Sequence, residues 1–535
     1  MISQTYRLLL FLTVGVLAVS DLMFPAIAQA PTSHAAQKKT PNIIYILADD
    51  LGYGDVHCLN PTGGKIKTPH LDEFARQSMV FTDAHSGSSV CTPTRYGIMT
   101  GRYAWRTRLQ SGVLGGYSPP LIDRNRLTVP ALLKRNGYAT ICIGKWHLGM
   151  TLPTTDGRVF TDGVLGDKRD EAAMRSVNWT GPIQDGPLAR GFDAFFGITA
   201  SLDMPPFLFI RNDRATTAPT VDKRWLRSGP AAADFEAVDV LPKLIDEACD
   251  QIGSHTAAAK LGKPFFIYLA LSSPHTPVLP NRAWKGRSGL GDYADFVMQT
   301  DAGIGQVLDK LTEVGLAGDT LVVVTSDNGF SPAGDPDGSL RKLGHKPSAQ
   351  FRGFKSDIWD GGHRIPFMVR WPGKIKAGSM SGQLVCLTDL IATCADLLGV
   401  TLPDNAGEDS ASILPVLLGR SRKPVHEAVV HHSIDGNFAI RQGKWKLNLC
   451  PGSGGWSDPG PRKAVQMGLP TYQLYAMDAD EGESANRHLD RPDVVEHLIK
   501  LLDGFVSEGR STPGKRQAND APIDLLKTRK TSSPE

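Results

Sequence analysis

The chain has 535 residues, 41% of them hydrophobic, with 58 Lys and Arg against 55 Asp and Glu and a formal net charge of +3. That length holds one large domain with a satellite or a few small ones, and the composition excludes a disordered, collagenous or coiled-coil chain. Charge this balanced gives no bulk attraction to nucleic acid or to an anionic membrane, so anion recognition must come from local residues.

Residues 1–30 contain Arg7, an apolar run over 8–19 and the small-x-small pattern Ala28-Gln29-Ala30. This reads as a secretory signal peptide, because the apolar run falls short of the roughly 20 residues a membrane-spanning helix needs. The protein is therefore expected to be exported, periplasmic or secreted, with no stable membrane insertion. Residues 31–40 read as a linker. Across 41–430 short apolar runs alternate with amphipathic stretches, the pattern of an α/β sheet covered by helices. Strands are predicted at 43–48, 139–143, 265–271 and 321–325, each apolar enough for a buried parallel strand. Helices are predicted over 293–314 and 384–398. Residues 151–260 have weak periodicity and read as insertions around a site. From 431 to 506 the texture becomes short alternating pieces, 438–449 and 471–477, then a helical 494–506, suggesting a smaller α+β subdomain. Residues 507–535 have little to bury and are expected to be a disordered tail.

In open α/β sheets, ligands bind beyond the carboxyl ends of the strands. The strand over 43–48 leads into Asp49-Asp50, and that over 321–325 into Ser326-Asp327-Asn328-Gly329. Three carboxylates and an amide oxygen make a hard donor set suited to Ca²⁺ or Mg²⁺ and poorly suited to zinc. Capping or turn chemistry explains either pair alone, but two pairs at equivalent strand ends favour a metal. The other two strands lead to Lys145 and His147, and to His275: imidazole moves protons near neutral pH, and lysine binds oxyanions as a point charge. Pro93 suggests a helix start, which places Cys91 near the positive end of a helix dipole, where an activated thiol is one reading.

The segment Cys91-Thr92-Pro93-Thr94-Arg95, followed by Met99-Thr100-Gly101-Arg102, resembles the modification motif of the type I sulfatase family, grouped near arylsulfatase A and N-acetylgalactosamine-6-sulfatase. The required Cys, Pro and Arg are Cys91, Pro93 and Arg95; Thr94 replaces the commoner serine. The Asp49-Asp50, Gly144 to Gly149, Ser326 to Gly329, Arg352 to Lys355 and Gly361 to Pro366 motifs recur in family order. The resemblance implies an alkaline-phosphatase-like fold, with a mixed, mostly parallel sheet flanked by helices and a C-terminal α+β subdomain carrying an antiparallel sheet. It implies that a maturation enzyme oxidises Cys91 to Cα-formylglycine, and that Asp49, Asp50, Asp327 and Asn328, with residue 91, hold one Ca²⁺. Lys145, Lys355 and His275 would bind sulfate, His275 or Lys355 would protonate the leaving alcohol, His147 would act as a base and Arg95 would orient the nucleophile.

The implied activity is hydrolysis of a sulfate ester, of a sulfated carbohydrate or an aryl sulfate. Asp203, His345 and Arg211 are candidate sugar contacts. The rivals are a formylglycine-dependent phosphonate monoester or phosphodiester hydrolase, a two-zinc phosphatase, which would need a second His/Asp ligand set, and a catalytically inactive carbohydrate-binding relative, although no candidate catalytic position is missing. Seven cysteines leave one outside intramolecular pairing; formylglycine at 91 would leave six. Cys386 and Cys394, on one predicted helix, would stand about 12 Å apart and should not bridge.

Overall fold

The apolar run at 43–48 must be covered on both faces, and in the computed structural model it forms the strand Asn42–Asp49, every residue buried, inside a ten-stranded sheet. The structure describes residues 40–161 and 171–527; the expected signal peptide and the linker up to residue 39 lie outside them. From one edge the strands are Ser379–Ser381, Met79–Phe81, Phe367–Arg370, Thr320–Ser326, Asn42–Asp49, Phe265–Pro274, Ala139–Lys145, Ala194–Ile198, Ile210–Arg211 and Arg214–Ala215. The run of five from Thr320–Ser326 to Ala194–Ile198 is parallel, and Phe367–Arg370 is antiparallel to both neighbours.

Register sets the site. Leu47 lies opposite Ala270 and Thr325, and Ala270 opposite Gly144, so the residues after these positions leave the sheet at one level. The approach at Gly144 is close: a Cβ there would meet the Ala270 carbonyl oxygen at 1.8 Å, and φ is +107°. Only glycine can precede Lys145 here.

Two helix groups cover the sheet. Val240–Lys260, Asp292–Glu313 and Pro69–Arg76 pack together, as do Cys91–Thr100, Val129–Arg135 and Leu390–Leu398. After residue 428 the strands Val429–His432, Phe438–Gln442, Trp445–Asn448 and Gln473–Ala476 form an antiparallel sheet. The helix Pro492–Ser507 lays Val495, Leu498, Leu502 and Phe505, spaced three and four apart, into a core with Val430, Ile440 and Leu474. Each such side chain contributes about 1.5–3 kcal/mol by leaving water.

Several expectations change. The span 151–260 is more regular than its texture suggests: Ala194–Ile198 joins the sheet, Val221–Trp225 pairs with Arg227–Ala231, and Val240–Lys260 is a helix of 21 residues. The helix expected over 384–398 spans only Leu390–Leu398, because Val385 and Cys386 pair with Ala84 and His85. Cys386 and Cys394 therefore do not share a helix, and all seven cysteines are free. The stretch 438–449 is a hairpin of two strands.

As far as residue 527 the tail is packed rather than disordered. Arg102 and Arg106 are fully buried, and the tail supplies acceptors that their guanidinium groups require. Arg102 donates to the Ala518 carbonyl at 3.0 Å and to Asp520, and Arg106 donates to Asn519 Oδ1 at 2.9 Å. Asp409 completes the cluster, accepting from Arg106 Nε and Nη2 at 2.8 Å each and from the Tyr103 and Ser511 amides.

Burial alone would raise the Asp409 pKa, but Arg106 beside it brings the group below the ordinary carboxylate value. A depressed carboxylate stabilises the fold above its unfolded pKa, about 3.9, and the contribution is lost as pH falls through the folded value. Asp409→Ala should therefore cost about 3–5 kcal/mol at pH 7 in urea denaturation, with the gap from wild type narrowing below about pH 4. A gap that does not change with pH would contradict this account.

Candidate active site

Val90, extended at φ −144° and ψ 160°, precedes the helix Cys91–Thr100; Cys91 is its first residue and Pro93 sits in its first turn, where no backbone N–H is required. Gly101 ends it at φ +66°, where a Cβ would meet Ile391 at 2.4 Å. All ten residues of this helix are buried. Burial pushes the Cys91 thiol pKa up, outweighing the nearby charges of Lys145 and Lys355. A buried neutral thiol is a poor nucleophile, so the activated-thiolate reading loses its basis.

The strand ends carry Asp49, Asp50, Asp327, Asn328 and Lys145 into one buried cluster, which Arg95 joins from the helix Cys91–Thr100 and Lys355 from a loop. Lys145 Nζ donates to Asp49 Oδ2 at 2.7 Å, and Lys355 Nζ lies 2.7 and 2.8 Å from the two oxygens of Asp50. Arg95 donates to Asp327 Oδ2 through Nε at 3.1 Å and Nη2 at 2.7 Å, and to the Lys145 carbonyl through Nη1 at 3.1 Å. Asp50, at φ +65°, donates its amide to Asp327 Oδ1 at 3.2 Å and accepts from Asn328 Nδ2 at 2.8 Å.

Burial would raise the Asp49 pKa, yet Lys145, His275 and Arg95 together hold it far below the ordinary value. Asp327 is pushed up to about 6 by burial and by the neighbouring Asp49 charge. The ammonium of Lys355 is held above its usual range by Asp50 despite burial. Asp49 Oδ1 and Asn328 Oδ1 are buried without a hydrogen-bond donor. Orphaned oxygens among carboxylates are a donor set for a hard cation. Asp49, Asp50 and His275 each place a ligand atom within 4.8 Å of the others'.

His147, at φ +54°, uses Nε2 to donate to the Leu114 carbonyl at 2.7 Å, leaving Nδ1 buried and unpartnered. Burial, reinforced by Lys145 and Arg95, holds its pKa well below the ordinary value, so the imidazole is neutral and Nδ1 carries a lone pair. His275 is fixed through Nδ1 to the Thr276 carbonyl, with Nε2 3.6 Å from Asp50 Oδ2.

The three sugar candidates each have a protein partner. His345 bonds Asp55 at 2.8 Å and accepts the Lys65 amide, Arg211 forks onto Glu247 at 2.7 and 3.0 Å, and Asp203 holds Arg227. Sequence reading also passed over Ser326, whose hydroxyl bonds the Leu51 amide at 3.0 Å and the Asn328 carbonyl at 2.9 Å, fixing the backbone on both sides of Asp327. Its place inside the Ser326 to Gly329 motif was the available signal.

A second cluster, His85, His363 and His431, also brings three buried ring nitrogens within 4.8 Å. The rings of His363 and His431 are stacked, 4.0 Å apart and 9° from parallel, so their in-plane lone pairs cannot point at a common ion. We read the group as a packed seam.

A sequence profile described as Sulfatase matches residues 41–400. The chain belongs to the sulfatase family. It is 32% identical to the N-acetylgalactosamine-6-O-sulfatase of Bacteroides thetaiotaomicron, over 86% of this chain and 92% of that one. To human arylsulfatase A it is 30% identical, covering 84% of each. A solved sulfatase from work on glycosaminoglycan metabolism by Bacteroides thetaiotaomicron superposes with a TM-score of 0.75 at 30% identity, covering 87% of this chain and 99% of that one. This sulfatase is accordingly a sulfuric ester hydrolase of alkaline-phosphatase-like fold.

Within it, Arg95 is the group that ties the helix Cys91–Thr100 to two strand ends. Arg95→Met leaves Asp327 buried beside Asp49 without its counter-charge, and should cost about 3–5 kcal/mol in chemical denaturation. A loss below about 1 kcal/mol would mean that Lys145 or Lys355 takes over the neutralisation.

Proposed function

We propose that this sulfatase is exported and removes sulfate from a sulfated carbohydrate, with residue 91 matured to Cα-formylglycine by a modifying enzyme. Asp49, Asp50, Asp327 and Asn328 would hold a Ca²⁺ ion. The observation that carries the reading is the convergence of Lys145, Lys355, Asp49 and Asp327 on the buried Cys91, whose thiol feels the charge of all four. The all-oxygen donor set with its two unpartnered buried oxygens supports a hard cation. Such an ion, when bound, would offset charge on the sulfate and polarise its oxygens. Formylglycine, hydrated, supplies two hydroxyls on one carbon, so that attack on sulfur need not end in a stable sulfate ester.

The chain's own residues then divide the work. Lys145 and Lys355 bind sulfate oxygens as point charges, Lys145 from the end of its strand and Lys355 from the loop that follows residue 352. His147, oriented by the Leu114 carbonyl, takes a proton from the side chain of residue 91 at its bare Nδ1. His275, oriented by Thr276, presents Nε2 to the leaving oxygen, with Lys355 as the alternative donor. General-acid help of this kind is worth about 10²- to 10⁴-fold. Arg95 keeps Asp327 and Lys145 in register. The carbohydrate substrate is supported by the N-acetylgalactosamine-6-O-sulfatase relative, and export by the N-terminal sequence. No helix among the described residues is long and apolar enough to cross a membrane.

Mass spectrometry of the peptide containing residue 91, from protein co-expressed with a formylglycine-generating enzyme, should show aldehyde in place of thiol. Cys91→Ala should abolish sulfate release with unchanged far-UV circular dichroism. Retained turnover in that variant, or thiol alone in fully active enzyme, would remove the assignment.

Chelation, or Asn328→Ala, should lower activity by at least about 100-fold, with calcium lost on elemental analysis. Activity that survives with no bound divalent metal would exclude the metal reading. Faster turnover of phosphonate monoesters than of aryl sulfates would favour the rival hydrolase.

A further inference from the structure

Of nine tryptophans, Trp456 alone stands mostly in solvent, 58% exposed. Single exposed apolar side chains are common and by themselves signify nothing. What sets this one apart is the loop that carries it. Gln473 Nε2 donates to the Cys450 and Gly452 carbonyls at 2.7 and 2.8 Å, and the Ser453 amide donates to the Pro459 carbonyl at 2.9 Å. The Gly455 amide donates to Ser453 Oγ at 3.1 Å, and the Ile358 amide to the Ser453 carbonyl at 2.7 Å. A Cβ on Gly455 would meet the Ser356 carbonyl oxygen at 2.3 Å, so the loop presses backbone to backbone onto the Lys355 segment. The loop is held on several sides while its largest apolar side chain is left unburied.

The attachment point is specific. The Trp456 amide donates to Ser356 Oγ at 3.0 Å, and Ser457 bonds Asp357 through both its amide, at 3.0 Å, and its hydroxyl. Ser356 directly follows the buried Lys355 and adopts φ +81°, a conformation a non-glycine residue keeps only when its surroundings enforce it. Each of its polar groups is engaged: its amide donates to the Ser89 carbonyl at 2.9 Å, its carbonyl accepts the Ile434 amide at 3.1 Å, and its hydroxyl accepts from Trp456. The backbone of Trp456 is thus one hydrogen bond from the neighbour of a sulfate-binding lysine, on a loop held by backbone and polar side-chain hydrogen bonds.

We infer that Trp456 is a carbohydrate-stacking platform for the leaving-group side of the substrate, clamped beside the sulfate pocket by Ser356. A pyranose offers an apolar C–H face that an aromatic ring covers, while its sulfate enters the site. An aromatic contact held in place in advance loses little conformational freedom on binding. This rests on the carbohydrate reading above, and it gives that reading a specificity residue outside the sulfate-handling cluster. Val465 and Met467, also exposed on the following segment, offer a protein-docking patch as the competing use of this face.

The test uses the full-length, formylglycine-bearing enzyme and whichever saccharides of a defined glycosaminoglycan and algal sulfate panel the wild type desulfates. Trp456→Ala should lower kcat/KM on them roughly tenfold, almost entirely through KM, without changing the inhibition constant of inorganic sulfate. Trp456→Tyr should stay within about threefold of wild type, because a ring face is retained. An unchanged KM in Trp456→Ala would overturn the platform while leaving the carbohydrate reading intact, and a shift in oligomeric state with unchanged KM would assign the face to protein docking. A fall in kcat together with weaker sulfate inhibition would overturn it in favour of a loop that merely holds Lys355. Failure of the wild type on every saccharide, with good turnover of an aryl sulfate, would remove the carbohydrate reading and the platform with it.

Discussion

Everything at this site depends on burying three cations and three carboxylates together. Each of Arg95, Lys145, Lys355, Asp49, Asp50 and Asp327 would alone cost several kcal/mol to take out of water. Together they neutralise one another at contact distance, Lys145 on Asp49, Lys355 on Asp50 and Arg95 on Asp327. That mutual offset works only if the strand ends arrive level. The register of four parallel strands and the forced glycine at 144 are therefore as much a part of the site as the charges.

The large architecture was legible because parallel strands are buried on both faces and so read as unbroken apolar runs. Residues 43–48, 139–143, 265–271 and 321–325 needed no other signal, and their loaded ends followed from the rule that ligands sit beyond the carboxyl edge of a sheet. The family resemblance then supplied roles that spacing alone leaves open. What could not be read was tertiary. The helix Val240–Lys260 carries its stripe, Leu241, Leu244, Ile245, Ala248 and Ile252, at helical spacing, but it closes a stretch rich in Gly, Pro and Asp whose texture masks it. Residues 508–527 lack a hydrophobic pattern because they are held by guanidinium groups contributed from four hundred residues earlier, which no local pattern encodes. His345 pairs with Asp55 and Arg211 with Glu247, and a sequence does not reveal such pairing.

The seam between the two sheets shows why the smaller subdomain is there at all. The segment from Arg352 to His363 carries Lys355, yet it is neither strand nor long helix and cannot hold itself in place. One side is stitched to the loop that leads into Cys91, where the Ser356 amide donates to the Ser89 carbonyl two residues before it. The other side is stitched to the C-terminal subdomain. There Lys446 Nζ bonds Asp360 at 2.7 Å and Glu483 at 2.9 Å, the Asp360 amide donates to Glu483 at 2.6 Å, and the His363 ring stacks on His431. A strained residue at φ +81°, costing about 1–3 kcal/mol, persists only under such over-determination. The position of Lys355 over Asp50 is thus set as much by strands beyond residue 428 as by the sheet that holds the carboxylates. The C-terminal subdomain acts as the second wall around Lys355, and a chain ending before it would keep the acidic residues while losing what holds Lys355 beside them.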